Sequence, residues 1–180
     1  GEKLGLLSQL VITYADGTQD WIVSDGTWKT HTGPIVKSDM KDGEIYDARL
    51  EMDGWNQVGF NDTGWVSVNT ADHGYRNLVA SEGAPIRKME HFVVKNVITT
   101  PKGEIVLDFG QNLAGYAIMK VEGKAGTTVS LQYSEALDEH GNFSLDYLMP
   151  GGGSKFIPSL LQQDEYTLRG NGVEIYEPHF

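Results

Sequence analysis

Leu6-Leu7-Ser8-Gln9-Leu10-Val11-Ile12-Thr13-Tyr14 runs into Ala15-Asp16-Gly17-Thr18 and then into Gln19-Asp20-Trp21-Ile22-Val23-Ser24. The two flanking runs are rich in β-branched and aromatic residues, which suit a pleated, half-buried surface. Asp-Gly between them tolerates the left-handed dihedrals of a tight turn. The stretch therefore spells a β-hairpin, and the rest of the chain repeats its grammar. Strands are predicted over residues 44–52, 66–69, 88–99, 105–109, 115–122, 127–134, 164–168 and 173–176. An irregular stretch is expected over 30–43, and a flexible loop at Gly151-Gly152-Gly153-Ser154.

The 22 glycines are spread along the chain, and no stretch holds a helical period beyond two turns. Many short strands at close spacing predict an all-β fold of sandwich or jelly-roll type. Residues 72–85 are polar and weakly periodic, which places a module boundary near Gly83 and divides the chain into 1–83 and 84–180. The text starts at Gly1 inside an apolar run and stops at Glu177-Pro178-His179-Phe180 without a closing strand. The chain thus reads as a fragment, its first module truncated at the N-terminus. Strands lacking their neighbours leave unpaired backbone groups, so self-association through exposed strands is expected.

The 180 residues carry a formal charge of −11, which repels phosphate backbones and argues against nucleic acid. The absence of cysteine excludes disulfides, thiolate metal sites and cysteine nucleophiles. No apolar window is long enough for a membrane-spanning helix. Acidic, oxygen-rich loops do suit hard cations such as calcium.

Catalytic motifs are missing. There is no Gly-x-Ser-x-Gly elbow, and His31, His73, His91, His140 and His179 stand in no zinc-binding spacing. Glycoside cleavage needs two carboxylates at set distances, and among 25 acids spacing alone nominates none. Four segments are dense in polar and aromatic residues. In Asp42-Gly43-Glu44-Ile45-Tyr46-Asp47-Ala48-Arg49, strand alternation puts Glu44, Tyr46 and Ala48 on one face and Ile45, Asp47 and Arg49 on the other. Asp47 and Arg49 then form a buried ion pair that pins a loop, or else Asp42, with Glu44 beside it, serves a calcium or sugar site. Trp55 and Trp65 each follow a glycine turn and serve either the core or the face of a sugar ring. Asp108-Phe109-Gly110-Gln111-Asn112 reads as a glycine turn capped by its own side chains. Tyr133-Ser134-Glu135 ends a strand, with a polar turn at 138–142.

These segments, in this order, resemble the N-terminal module of bacterial α-L-rhamnosidases of glycoside hydrolase family 78 and the concanavalin-like module that follows it. Trp28, Thr32-Gly33-Pro34-Ile35, the Asp42–Arg49 run, Gly54-Trp55-Asn56 and Trp65 carry the first likeness. Asp108-Phe109-Gly110-Gln111-Asn112 with Gly115, Tyr133-Ser134-Glu135, Leu137-Asp138, Gly141 and Asp164-Glu165-Tyr166 carry the second. The resemblance covers nearly the whole chain.

The resemblance implies a jelly-roll or galactose-binding-like sandwich followed by a concanavalin-like one. It also implies that the acid and base of an inverting hydrolase stand on a downstream (α/α)6 barrel, the segment's partner in the parent chain. The segment itself would be a non-catalytic accessory, shaping or guiding a rhamnose-containing carbohydrate. Some family members hold L-rhamnose through calcium. Asp42 and Pro85 then correspond to metal-binding positions and Trp65 to the stacking tryptophan. Gly43 stands where the family has asparagine, which removes one side-chain contact. An exported bacterial protein, periplasmic or extracellular, is favoured over a cytoplasmic one. The alternatives left open are a calcium-dependent L-rhamnose-binding module and a purely structural interdomain module.

Overall fold

The computed structural model describes residues 4–145 and 162–179, so the Gly151-Gly152-Gly153-Ser154 loop lies outside the described residues. Strands and turns dominate. The order is β1 (Gln9–Thr13), β2 (Gln19–Val23), β3 (Lys29–Thr30), β4 (Ile35–Asp39), β5 (Gly43–Asp47), β6 (Val66–Ser67), β7 (Asn96–Thr99), β8 (Ile105–Asp108), β9 (Met119–Glu122), β10 (Thr128–Gln132), β11 (Gln163–Thr167) and β12 (Val173–Tyr176), with one 3₁₀ turn at Ala48–Leu50. Among the described residues no helix is long and apolar enough to cross a membrane.

The chain divides into two compact units. The first is Gly1–Thr32 with Asp53–Ala84, and the second is Gly33–Met52 with Pro85–Phe180. The sequence pattern assigned 33–52 to the first module. In the structure these residues belong with the second, because β5 runs parallel to β11 with Ile45 opposite Glu165, Tyr46 opposite Tyr166 and Asp47 opposite Thr167.

In the first unit, β1 and β2 form the hairpin that the opening stretch predicts, with Leu10 opposite Ile22 and Val11 opposite Trp21. Its turn is fixed by Asp16, whose Oδ1 accepts from the Thr18 amide at 3.0 Å and the Thr18 hydroxyl at 2.7 Å. Asp25 does the same for Thr27, and Asn61 for Thr63. A short acceptor two residues before a threonine is a self-contained turn. The pair β3 and β6 joins Lys29 to Ser67 and Thr30 to Val66.

The second unit carries a four-stranded sheet in the order β10-β11-β5-β4, and the two-stranded pairs β9–β12 and β7–β8. Its core is Ala48, Tyr166, Leu168 and Tyr176, with Tyr46, Met119, Val121 and Val129 packed against it. The rings of Tyr46, Tyr166 and Tyr176 lie 4.7–5.8 Å apart, the spacing of an aromatic cluster.

Several strands differ from the sequence expectation. The irregular stretch 30–43 contains β4, whose Ile35 and Val36 give too short an apolar signal. Pairing with β5 supplies what propensity does not. The strand expected over 44–52 stops at Asp47. There the Asp47 carboxylate accepts from the Arg49 amide and caps the 3₁₀ turn. The strands expected over 88–99 and 115–122 pair only at Asn96–Thr99 and Met119–Glu122, since β8 and β12 offer four residues each.

Candidate functional site

An open cleft with a volume of about 320 Å³ lies in the first unit. Thr27 and Lys29 come from the arm entering β3. Trp55, Gln57, Gly59, Phe60, Asp62 and Trp65 come from the loops before β6. Gly54-Trp55, Gly59-Phe60 and Gly64-Trp65 repeat at a spacing of five residues. Gly54 and Gly59 take φ of +77° and +86°, so the chain turns just before Trp55 and Phe60. Gln57 N–H donates to the Gly54 carbonyl at 2.9 Å, and Trp65 N–H to the Asp62 carbonyl at 2.9 Å.

Trp65 is half-buried. Its ring meets Phe60 edge-on at 5.8 Å and His31 at 5.9 Å. Trp55 stays 60 % exposed. Lys29 Nζ and Asp62 Oδ1 close the floor at 2.8 Å. Aromatic faces beside a few fixed polar groups suit a ligand with one apolar face and several hydroxyls. Asp62 is the sole acid lining the cleft, and it is tied to Lys29. The cleft lining therefore offers one carboxylate, where glycoside cleavage uses two.

The other sequence candidates lie in the second unit. Asp42 pairs with Lys37 at 2.8 Å, its amide donates to Asp39, and its carbonyl accepts from the Gln163 amide. Glu44 is 0 % exposed. Its carboxylate accepts from the Tyr176 hydroxyl at 3.1 Å and lies 2.7 Å from His179 Nδ1. Its amide donates to Asp164 at 2.9 Å, and Asp164 also accepts from the Tyr133 hydroxyl at 2.6 Å. Glu44 thus ties β5 to β11 and β12. Of the three residues that the alternation puts on one face, Glu44 and Ala48 are buried and Tyr46 is half-buried against the core cluster.

Asp47 and Arg49 do pair, with Nη2–Oδ2 at 2.7 Å and Nε–Oδ1 at 2.9 Å. They do so across the 3₁₀ turn, not along a strand, and at the surface rather than buried, because the Arg49 side chain reaches solvent past the turn. The guanidinium hydrogen bond keeps the Asp47 carboxyl below the usual range. Asp108 caps its turn as expected, accepting from the Gly110 amide at 2.6 Å and from Asn96 Nδ2 at 2.9 Å. Gln111, Asn112 and Glu135 are exposed.

A calcium ion asks for 6–8 oxygens. Among the described residues no group of three or more His, Cys, Asp or Glu side chains could hold a metal. The Asp42 carboxylate is engaged by an ammonium, and Gly43 has no side chain to add. Asp42 and Pro85 belong to the second unit and Trp65 to the first. Among the described residues these side chains do not supply the oxygen set that a calcium ion asks for.

Phe60, Lys29, Gln57 and Asp62 were not singled out by sequence. The five-residue glycine–aromatic spacing was the signal that could have found Phe60. The Lys29–Asp62 contact joins residues far apart in the chain and left no local trace.

Fold and cleft together define a class: an all-β segment of two sandwich-type units whose sheets are not closed, bearing a surface aromatic cleft. Comparison with known proteins makes this particular. Residues 1–90 match the alpha-L-rhamnosidase N-terminal domain, and residues 98–180 match the bacterial alpha-L-rhamnosidase concanavalin-like domain. The chain belongs to this family. It is 39 % identical over 181 residues to an alpha-L-rhamnosidase of Streptomyces avermitilis, an alignment covering 100 % of this chain and 17 % of that protein. It is 33 % identical over 171 residues to one of Formosa agariphila, covering 95 % and 18 %. Among solved structures, the native enzyme of Aspergillus terreus aligns with a TM-score of 0.85 at 38 % identity, covering 96 % of this chain and 19 % of that one. The Streptomyces avermitilis enzyme complexed with L-rhamnose aligns at 0.83 and 39 %, covering 97 % and 16 %. The chain therefore spans under a fifth of the length of these relatives and corresponds to the N-terminal regions of such enzymes.

Proposed function

We propose that this chain is the non-catalytic accessory segment of a glycoside hydrolase that removes terminal α-L-rhamnose, and that the Trp55–Phe60–Trp65 cleft is where the segment holds sugar. The parent enzyme's cleavage, by inversion at an acid and a base elsewhere in its chain, is part of this reading. What carries it is the cleft: three aromatic rings around the Lys29–Asp62 pair, in a chain of rhamnosidase family. Trp55 supplies an exposed stacking face, while Lys29, Asp62 and Gln57 supply donors and acceptors for hydroxyls. The deoxy C6 methyl of L-rhamnose leaves an edge that suits the half-buried face of Trp65.

Such binding is weak by nature, and a millimolar constant corresponds to about −4 kcal/mol. Titration of L-rhamnose followed by tryptophan fluorescence and by heat tests it. Saturation in the millimolar range, lost in Trp55→Ala and Trp65→Ala and unchanged by calcium or chelator, is the expected result. No response at tens of millimolar sugar sinks the binding reading. An aryl α-L-rhamnoside should not be hydrolysed by this chain. Turnover abolished by changing one of its own acids would sink the accessory reading.

A further inference from the structure

The two family matches part between residues 90 and 98. The folding boundary runs elsewhere. Gly33–Met52 leaves the first unit, supplies two of the four strands of the second unit's largest sheet, and returns. We propose that this β4–β5 hairpin is a clasp: the face of the second unit formed by β11 and the tail of β12 is a hairpin-binding surface, and residues 33–52 are its cognate partner. On this reading the first family domain carries part of the second unit's sheet, so the two domains cannot be exchanged one at a time.

The recognition is specific at each step. Main-chain pairing aligns β5 with β11 over three residues, and the amides of Gln162 and Gln163 reach the carbonyls of Lys41 and Asp42 at 3.4 and 3.1 Å. Gly43 sits at φ +98°, and a Cβ there would collide with the Gln163 carbonyl, so only glycine fits. Glu44 then enters fully buried and meets Tyr176, His179 and, through its amide, Asp164. Tyr46 completes the ring cluster with Tyr166 and Tyr176. Without the hairpin, a sheet edge and the buried Tyr176 hydroxyl lose their partners, and the Asp164 carboxylate keeps only that of Tyr133, an arrangement that water-free packing does not tolerate. The direct connection has no comparable hold. Residues 69–95 are exposed throughout and carry no strand.

Cutting that connection is the test. A site-specific protease sequence inserted between Glu82 and Gly83 leaves 33–52 covalently on the N-terminal piece and the rest of the second unit on the other. The two pieces of the otherwise unaltered chain are expected to co-elute in size-exclusion chromatography at low micromolar concentration and to separate only in denaturant. Amide exchange of 43–47 and 163–167 in the cut protein should match that of the uncut protein. With Gly43→Val the cut pieces should separate. Separation of the unaltered pieces, co-elution with unprotected 43–47 amides, or co-elution unchanged by Gly43→Val would each overturn the proposal. If Gly43→Val does not fold before cutting, elution and amide exchange of the unaltered pieces decide it alone.

Discussion

All ten residues of β1 and β2 are exposed, Trp21 at 58 % among them, whereas β11 alternates half-buried and buried from Gln163 to Thr167. The two units use the same alphabet of short strands and glycine turns, and they are held by different physics. The first unit rests mainly on contacts close in sequence, the β1–β2 hairpin and the acceptor–threonine turns, with the β3–β6 pair and the Lys29–Asp62 bridge as its longer links. Its first hairpin is apolar on both faces, with Val11, Trp21 and Val23 on one and Leu10, Ile12 and Ile22 on the other. The second unit rests on contacts more than a hundred residues apart, centred on a carboxylate and a cluster of phenol rings. Alternation is therefore necessary for a strand to bury a face, and it is not sufficient; something must cover that face.

The four tryptophans, Trp21, Trp28, Trp55 and Trp65, all lie in the first unit, so their fluorescence follows that unit alone. This makes the contrast breakable. Leu168 is 1 % exposed in the second core. Leu168→Ala should cost about 2–5 kcal/mol, read as earlier loss of amide protection in β10 and β11. The tryptophan-monitored transition should stay in place; a parallel shift would show that the units melt as one.

Glu44→Ala comes next. It leaves the buried Tyr176 hydroxyl and the His179 ring without their acceptor, at a cost of about 1–3 kcal/mol. Glu44→Gln keeps the shape and one acceptor oxygen, and should lose less. Equal effects of the two would mean that shape, not hydrogen bonding, is what the site needs.

High pH should separate the units further. Burial, then the Glu51 hydrogen bond, pushes the Tyr46 phenol well above its ordinary value. Burial with Asp164 does so for Tyr133, burial with Glu174 for Tyr166, and burial with the Glu44 charge for Tyr176. A raised folded value gives stability that is complete below about pH 10 and is lost as pH rises through the folded values. Alkaline titration should therefore dissolve the second unit's protected amides while tryptophan emission changes little. Tyr46→Phe should push that alkaline limit upward.

What was legible in the sequence follows the same line. The β1–β2 hairpin and the Asp108 turn were readable because each is fixed by residues within a few positions of one another. The transfer of 33–52 into the second unit was not readable, because it depends on Gly43 meeting Gln163 and Glu44 meeting His179, contacts that leave no periodic trace. The cleft was half readable. Trp55 and Trp65 stood out beside their glycines, but Phe60 passed unnoticed and the Lys29–Asp62 pair is visible only in three dimensions.

Smaller effects sharpen the account of the first unit. Trp21→Asp removes an exposed ring, so the change in stability should fall within about 0.5 kcal/mol. Self-association is where it should act. Exposed apolar strands with free edges invite pairing, and sedimentation at tens of micromolar should show oligomers of the unaltered chain that Trp21→Asp diminishes. A monodisperse monomer before and after the change would mean that the hairpin's apolar faces are harmless in solution.

The smallest effect concerns the turns. The Thr27 hydroxyl and amide hold the Asp25 carboxyl below the usual carboxylate range, and Thr18 does the same for Asp16. A depressed folded value gives stability present above the unfolded value, about 3.9 for aspartate, and lost as pH falls through the folded one. Both groups are solvent-exposed, so the contribution is small and global melting will not resolve it. It is readable locally. In Thr27→Val the hydroxyl is gone while the amide remains, so the Asp25 carboxyl should titrate at higher pH than in the unaltered chain, yet still below an unrestrained aspartate. Asp138, held low in the second unit mainly by the Asn142 amide, should not move. Carboxyl resonances followed from pH 6 to pH 2 check both statements. An Asp25 titration untouched by Thr27→Val would show that the turn is set by backbone geometry alone, and that the first unit owes less to its side chains than its sequence suggests.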